Sequence, residues 1–299
     1  MDASNRRLAR LSSHLATVKL DGSATTQPRS LSSTTTSTIP TTPTTPTTTT
    51  DSAIISADTM EQQSQHDDIL LLLNPLLLAS SKSNHLSPLT SHQRCALRWR
   101  LARAHERLWQ RSVSANDIVA RDSHVKIGLE QSKKAIQENK NSGMAHKWRA
   151  IYLGMEAEAG GVLASAKNAQ LIDQHLRQAL LTLPEDSTMH FMLGRTTYSC
   201  AGATWSERTA AKLVGYVIPV ATFVESIGHF RRAQKYAPLN VNNMLWLGKA
   251  YLKSEKNQKK SIVLGRKWLN RAATVACVTD EDRNAQHEAR VELKGLRSR

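Results

Sequence analysis

Four arginines, Arg100, Arg103, Arg107 and Arg111, recur at spacings of three and four within RWRLARAHERLWQR. On a helix that spacing sets four guanidinium groups along one face. Each is a planar fork of donors suited to carboxylates and phosphates, so the chemistry open to the stripe is anion recognition. Glu106 is the only acid between Gln93 and Arg111. Four like charges repel, and the stripe therefore calls for an anionic partner supplied from elsewhere, or else lies open to solvent. A second set, Asn242, Asn243, Lys249 and Lys253, sits in NNMLWLGKAYLK. Lining a groove, its amides and ammonium groups would bond a peptide backbone or a carboxylate. Arg231, Arg232, Lys235, Lys256, Lys259 and Lys260 extend the positive charge around it.

Chemistry beyond binding has no motif to carry it. HExxH, P-loop and GxSxG patterns are all missing from the sequence. Glu156 and Glu158 are two residues apart and point to different sides of a helix, and Gly160–Gly161 reads as a helix stop. The expectation is a binding protein with no catalytic residues, no cofactor and no metal. Cys95, Cys200 and Cys277 are sparse and form no CxxC pair, which predicts reduced thiols rather than a disulfide or zinc framework.

The formal net charge is +15 over 299 residues, but it is unevenly placed. Met1 to Asp68 holds five basic and seven acidic residues, which leaves +17 on the remainder. That field can steer an acidic partner: nucleic acid, an anionic membrane, or a protein with acidic tails. Nucleic acid ranks last, because no RNA-binding motif or exposed aromatic platform accompanies the charge. In Leu31–Thr50, twelve of twenty residues are Thr, with irregular Pro. Such a tract has too little apolar surface to offset its ordering entropy, so residues 1–68 are expected to form a disordered leader. Within it, Thr42 and Thr45 precede Pro and are open to phosphorylation, while Met1–Leu20 has the composition of a mitochondrial transit peptide. Residues 69–92 follow as an apolar segment and linker. The run Ile69–Ala79 is too short to span a bilayer and is broken at Asn74–Pro75, so it is expected to dock on the body or bind a partner.

The elements that must position these residues lie in 93–299, where the helical period takes over. Windows starting at Ala135, Ala179 and Ala233 align with one another. In each, one helix ends, a short polar turn follows, and a second helix opens with Trp148, Met192 or Trp246 at one register. Those aromatic positions, with Trp268, read as core, and His146 and His190 share a register that argues structure. Trp99 and Trp109 fall between the core and arginine faces. The pattern resembles the tetratricopeptide repeat through Ser226, Phe230, Ala233, Pro238, Leu247, Gly248 and Tyr251, and through Leu176, Ala179, Pro184, Leu193 and Gly194. Thr197 stands where that repeat has Tyr, and the first copy is degenerate, with Arg149 and Ala150. Gly248, Gly194 and Ala150 would admit a neighbouring helix closely, and the copies must stack to bury their apolar faces. The copies are wider apart than the repeat's usual ~34 residues, and one insertion, Ala201–Pro219, carries Trp205. The fold class is thus an all-α tetratricopeptide-like helical-repeat solenoid behind a disordered N-terminal leader.

A narrower resemblance covers Gln93 to Leu296. RWRLARAHERL from Arg98, AHKWRAIYLG from Ala145, and LTLPEDSTMHFMLGRTTY followed by Trp205 are similar to the regulator of microtubule dynamics family. ESIGHFRRAQKYAPLNVNNMLWLGKAYLK, Trp268 and the acidic turn Thr279–Asp282 complete the likeness. The resemblance implies a cytoplasmic, non-enzymatic scaffold at the cytoskeleton and spindle, with the arginine stripe docking acidic tubulin tails and the groove taking other proteins. It also leaves open a mitochondrial or organelle-contact adaptor that binds lipid or a partner peptide.

Overall fold

The structure is a computed structural model that describes residues 47–82, 89–159, 161–254 and 258–297. Among these residues it is entirely helical. The helices are α1 (Thr47–Gln62), α2 (His66–Lys82), α3 (Ser91–Ser114), α4 (Ile118–Glu138), α5 (Gly143–Ala159) and α6 (Gly161–Thr182). They continue as α7 (Ser187–Gly202), α8 (Trp205–Leu213), α9 (Phe223–Tyr236), α10 (Val241–Lys253), α11 (Gln258–Thr274) and α12 (Asp280–Arg297). The strongest packing is pairwise: α3 with α4, α5 with α6, α7 with α9, and α10 with α11. The last helix, α12, closes on α10 and α11.

The repeat is visible at the level of single hydrogen bonds. After α4, α6 and α9 the chain makes the same four-residue turn. Asn139, Leu183 and Ala237 each donate a backbone N–H to the carbonyl four residues back, at Ala135, Ala179 and Ala233. Ser142, Asp186 and Asn240 then donate to the first turn residue, and their own side chains accept from the backbone at Ala145, Met189 and Asn243. These short oxygen-bearing residues satisfy the free amides of the next helix start. Two of the turns are also clasped by histidine: Nε2 of His146 donates to the Lys140 carbonyl (2.8 Å) and that of His190 to the Pro184 carbonyl (2.9 Å).

Small residues sit where helices press together. A Cβ on Gly194 would stand 2.7 Å from the Phe230 ring, and one on Gly248 would stand 2.8 Å from Leu269. Ser226 reinforces the first approach by donating its hydroxyl to the Gly194 carbonyl at 2.9 Å. Trp148, Met192 and Trp246 are buried at their shared register, as the pattern requires. The insertion after α7 forms the short α8, capped by a Thr204–Glu207 box, and leaves Trp205 and Val220 largely exposed.

Two boundaries differ from the sequence reading. The helical body begins at Thr47, inside the stretch assigned to a disordered leader: residues 47–68 form α1 and the start of α2, and both pack on α3. Asn74–Pro75 does not break the apolar run either. Pro75 lies inside α2, on an exposed side shared with Leu71 and Leu78, where water can serve the carbonyl that loses its donor. The opposite side buries Ile69 and Leu73 against Leu97, Leu101 and Ala104. The transit-like Met1–Leu20, and Thr42 and Thr45, lie outside the described residues.

Candidate functional site

The arginine stripe has the geometry its spacing dictates, on α3, but Arg100, Arg103 and Arg107 are largely covered and only Arg111, at its end, stays exposed. Helix α1 lies along it. Arg100 makes a two-pronged contact with Asp58, at 3.0 and 2.5 Å, and Arg103 reaches the same carboxylate at 2.9 Å. Glu61 pairs with Arg107 at 3.0 Å and with Arg103 at 3.3 Å. Arg111 pairs with Asp67 at 2.9 Å. Arg100 is buried and its guanidinium also rests 4.0 Å from the Trp99 ring. Burial alone would push the Asp58 carboxyl up, but Arg100 and Arg103 outweigh it and hold it below the usual carboxylate range. The Arg111 guanidinium does the same for Asp67. The anionic partner that the stripe called for is therefore, in this structure, the chain's own segment 58–67.

The second set divides in the same way. Asn243 is buried, and its Nδ2 donates to the Phe230 carbonyl (3.0 Å) and to Gln234 (2.7 Å), so it joins α10 to α9 and lines no groove. Lys249 donates to Glu288 of α12 at 2.6 Å, with Glu292 at 3.8 Å, and its ammonium sits 4.4 Å from the Trp246 ring. Asn242 is half-buried and Lys253 is exposed. Only Lys253 of this set faces solvent freely.

What remains exposed is the basic flank. Arg231, Arg232 and Lys235 on α9, Lys253 on α10, and Lys259, Lys260, Lys267 and Arg271 on α11 all point outward. Among the described residues no carboxylate lies within ion-pair distance of any of them. From Ser226 to Val278 the sequence has eleven Lys and Arg and a single acid, Glu255. A cavity of about 310 Å³ between α6, α7 and α9 is polar but uses its charges internally. There Arg177 pairs with Asp173 at 2.7 Å, and Glu225 caps α9.

The buried titratable groups are structural. His105 and His124 meet Nδ1 to Nδ1 at 3.0 Å, and His146 and His175 at 2.8 Å, so at least one ring of each pair must be neutral to accept. Burial, aided by nearby cations and imidazoles, pulls His105, His175 and His229 down to about 4 from 6.5. Such groups leave stability complete above pH 6.5 and remove it as pH falls from 6.5 toward 4, because the unfolded chain binds protons first. The melting temperature at pH 5 is expected to lie several degrees below that at pH 7, and His105→Gln with His124→Gln should flatten that slope. Among the described residues no three His, Cys, Asp or Glu side chains are grouped to hold a metal, and the three cysteines are free.

Fold and surface together define a helical-repeat protein with one basic face paired with its own acids and a second set of basic residues, on α9, α10 and α11, left exposed. The family profile for regulator of microtubule dynamics protein 1–3 matches residues 54–297 of the chain. The chain belongs to that family. It is 35% identical over 201 residues to regulator of microtubule dynamics protein 1 of Bos taurus, covering 67% of this chain and 61% of that protein. With its Homo sapiens counterpart it is 34% identical over 192 residues, covering 64% and 59%. With regulator of microtubule dynamics protein 2 of Macaca fascicularis the identity is 28% over 224 residues, covering 73% and 53%. The chain thus spans somewhat over half the length of these relatives. The matched region starts inside α1, so that helix from residue 54 onward, with Asp58 and Glu61, falls within it. None of the helices among the described residues is long and apolar enough to cross a membrane.

Proposed function

We propose that this chain is a non-enzymatic microtubule-associated adaptor, placed at the cytoskeleton and spindle, whose open basic flank on α9, α10 and α11 meets acidic polypeptide tails on the microtubule surface. The observation that carries the reading is the set of exposed cations Arg231, Arg232, Lys235, Lys253, Lys259, Lys260, Lys267 and Arg271, none of which has a carboxylate at ion-pair distance among the described residues, in a protein whose other basic face is already paired with acids of the chain. Tubulin tails, extended and rich in carboxylates, have the chemistry such a flank attracts. Family membership supports the microtubule assignment over other acidic partners. The remaining repeat surface is left for further proteins.

Co-sedimentation of the full chain with taxane-stabilised microtubules tests this. Exposed charge pairs are screened by salt. Pelleting is expected to weaken as salt rises and to fall when subtilisin has trimmed the tubulin tails. Absence of pelleting even at low salt would sink the reading and favour an adaptor at mitochondria or organelle contacts.

A further inference from the structure

We infer that the arginine face of α3 is a docking surface for an acidic polypeptide segment, held closed in this structure by α1. The inference gives the proposed adaptor a second acidic-polypeptide site, and rests on that reading only for which acidic protein would use it.

The occupant now in place defines the chemistry of its replacement. Asp58 and Glu61 are one helical turn apart, and together they bridge Arg100, Arg103 and Arg107. A competitor therefore needs carboxylates at a three- or four-residue spacing, on a segment slender enough to lie along α3. The surface beneath is built for this. Trp99 backs the guanidinium of Arg100 at 4.0 Å and that of Arg103 at 5.2 Å, which fixes their planes and shields one side from water.

Little besides those ion pairs holds α1 down. Among its described side chains the buried ones are Thr50, Ala53 and Ala57, all small, with Ile54 and Met60 only partly covered. Ile55, its other large aliphatic residue, is 67% exposed. The helix opens on four threonines, which lose rotamer freedom in a helix, and it carries no acid in its first turn to meet the dipole. Contrast α2, which is anchored by fully buried Ile69 and Leu73. Between the two lie only Gln63, Ser64 and Gln65, with Ser64 in the left-handed region at φ 59°. Helix α1 can therefore leave as a unit while α2 stays, and Arg100 and Arg103 then lose the Asp58 carboxylate that covers them.

The test is fluorescence anisotropy of a labelled oligoglutamate with the full chain, its Asp58→Asn/Glu61→Gln variant, and that variant carrying Arg103→Gln/Arg107→Gln as well. Freeing the face should tighten binding about tenfold at low salt, and the arginine substitutions should cancel the gain. Unchanged affinity, or a gain that survives loss of the arginines, overturns the proposal. A second reading uses the unaltered chain: excess oligoglutamate should speed amide exchange across residues 51–62 and leave 97–108 protected. No change in exchange across 51–62 also overturns it. If the neutralised variant gains affinity for oligouridylate or phosphatidylserine vesicles but not for oligoglutamate, the assignment to an acidic polypeptide is wrong. Failure of microtubule pelleting leaves all these readings intact, so the two proposals fail separately.

Discussion

Gly128→Ala should destabilise the helical body by about 3 kcal/mol, read as a drop of roughly ten degrees in melting temperature. A Cβ built on Gly128 would stand 1.8 Å from Cζ of Tyr152 and 2.2 Å from its hydroxyl oxygen. The ring cannot swing aside freely. Tyr152 is fully buried, and its hydroxyl donates to the Ala102 carbonyl at 2.7 Å, tying α5 to α3 across the α4 contact. Moving it costs both overpacking strain and an unsatisfied buried hydroxyl, each about 1–3 kcal/mol. Tyr152→Leu in the same chain should recover part of the loss, so the two changes combine to less than their sum. A melting temperature for Gly128→Ala within a degree of the parent would contradict the close approach.

Glu106→Gln should act in the opposite direction and depend on pH. Glu106 is 1% exposed, and burial pushes its carboxyl up to about 7 from 4.5, with Glu61 and Glu281 pressing the same way against the pull of Arg107 and Gln110. A carboxyl raised on folding leaves stability complete below pH 4.5 and removes it as pH rises through 7. Glutamine keeps the shape without the charge. The variant should therefore exceed the parent by on the order of 2–3 kcal/mol at pH 8, with the difference fading toward pH 4.5. Equal stability at pH 8 would mean that Glu106 is charged at no cost where it stands. With the histidine effect, the parent should be most stable near pH 6.5.

The repeat was legible because it is local. Alanines at 135, 179 and 233, the polar turn after each, and the bulky residue opening the next helix all follow from neighbours in sequence. The glycines at 194 and 248 were readable for the same reason, being fixed points of a known pattern. Gly128 was not, because its need for a missing Cβ comes from Tyr152, on another helix and outside that pattern.

The site was half legible. Spacing set four arginines along one face of α3, and the scarcity of acids nearby left two readings, an external anion or an open solvated face. Spacing could not say that the anion comes from within the chain. Asp58 and Glu61 lie 42 to 46 residues from their partners, in a Thr-rich stretch with weak helix propensity and no clear apolar stripe. Helix α1 is held by tertiary ion pairs and by small side chains buried against α2 and α3, which a local reading cannot see. Lys249 escaped for the same reason, its partner Glu288 lying 39 residues away on α12. The open flank on α9 and α11 ranked second in sequence because charge runs usually mean only solvation. It gains weight once the first face is found occupied.

The most direct test of this ordering is co-sedimentation of two variants of the 299-residue chain with intact microtubules at low salt. One carries Arg231→Glu, Arg232→Glu and Lys235→Glu; the other carries Arg103→Gln and Arg107→Gln. Loss of about tenfold in affinity for the first, with the second within about twofold of the parent, is the result predicted by an open flank and a closed face. The reverse pattern, with the α9 reversal harmless and the α3 substitutions abolishing pelleting, would contradict it.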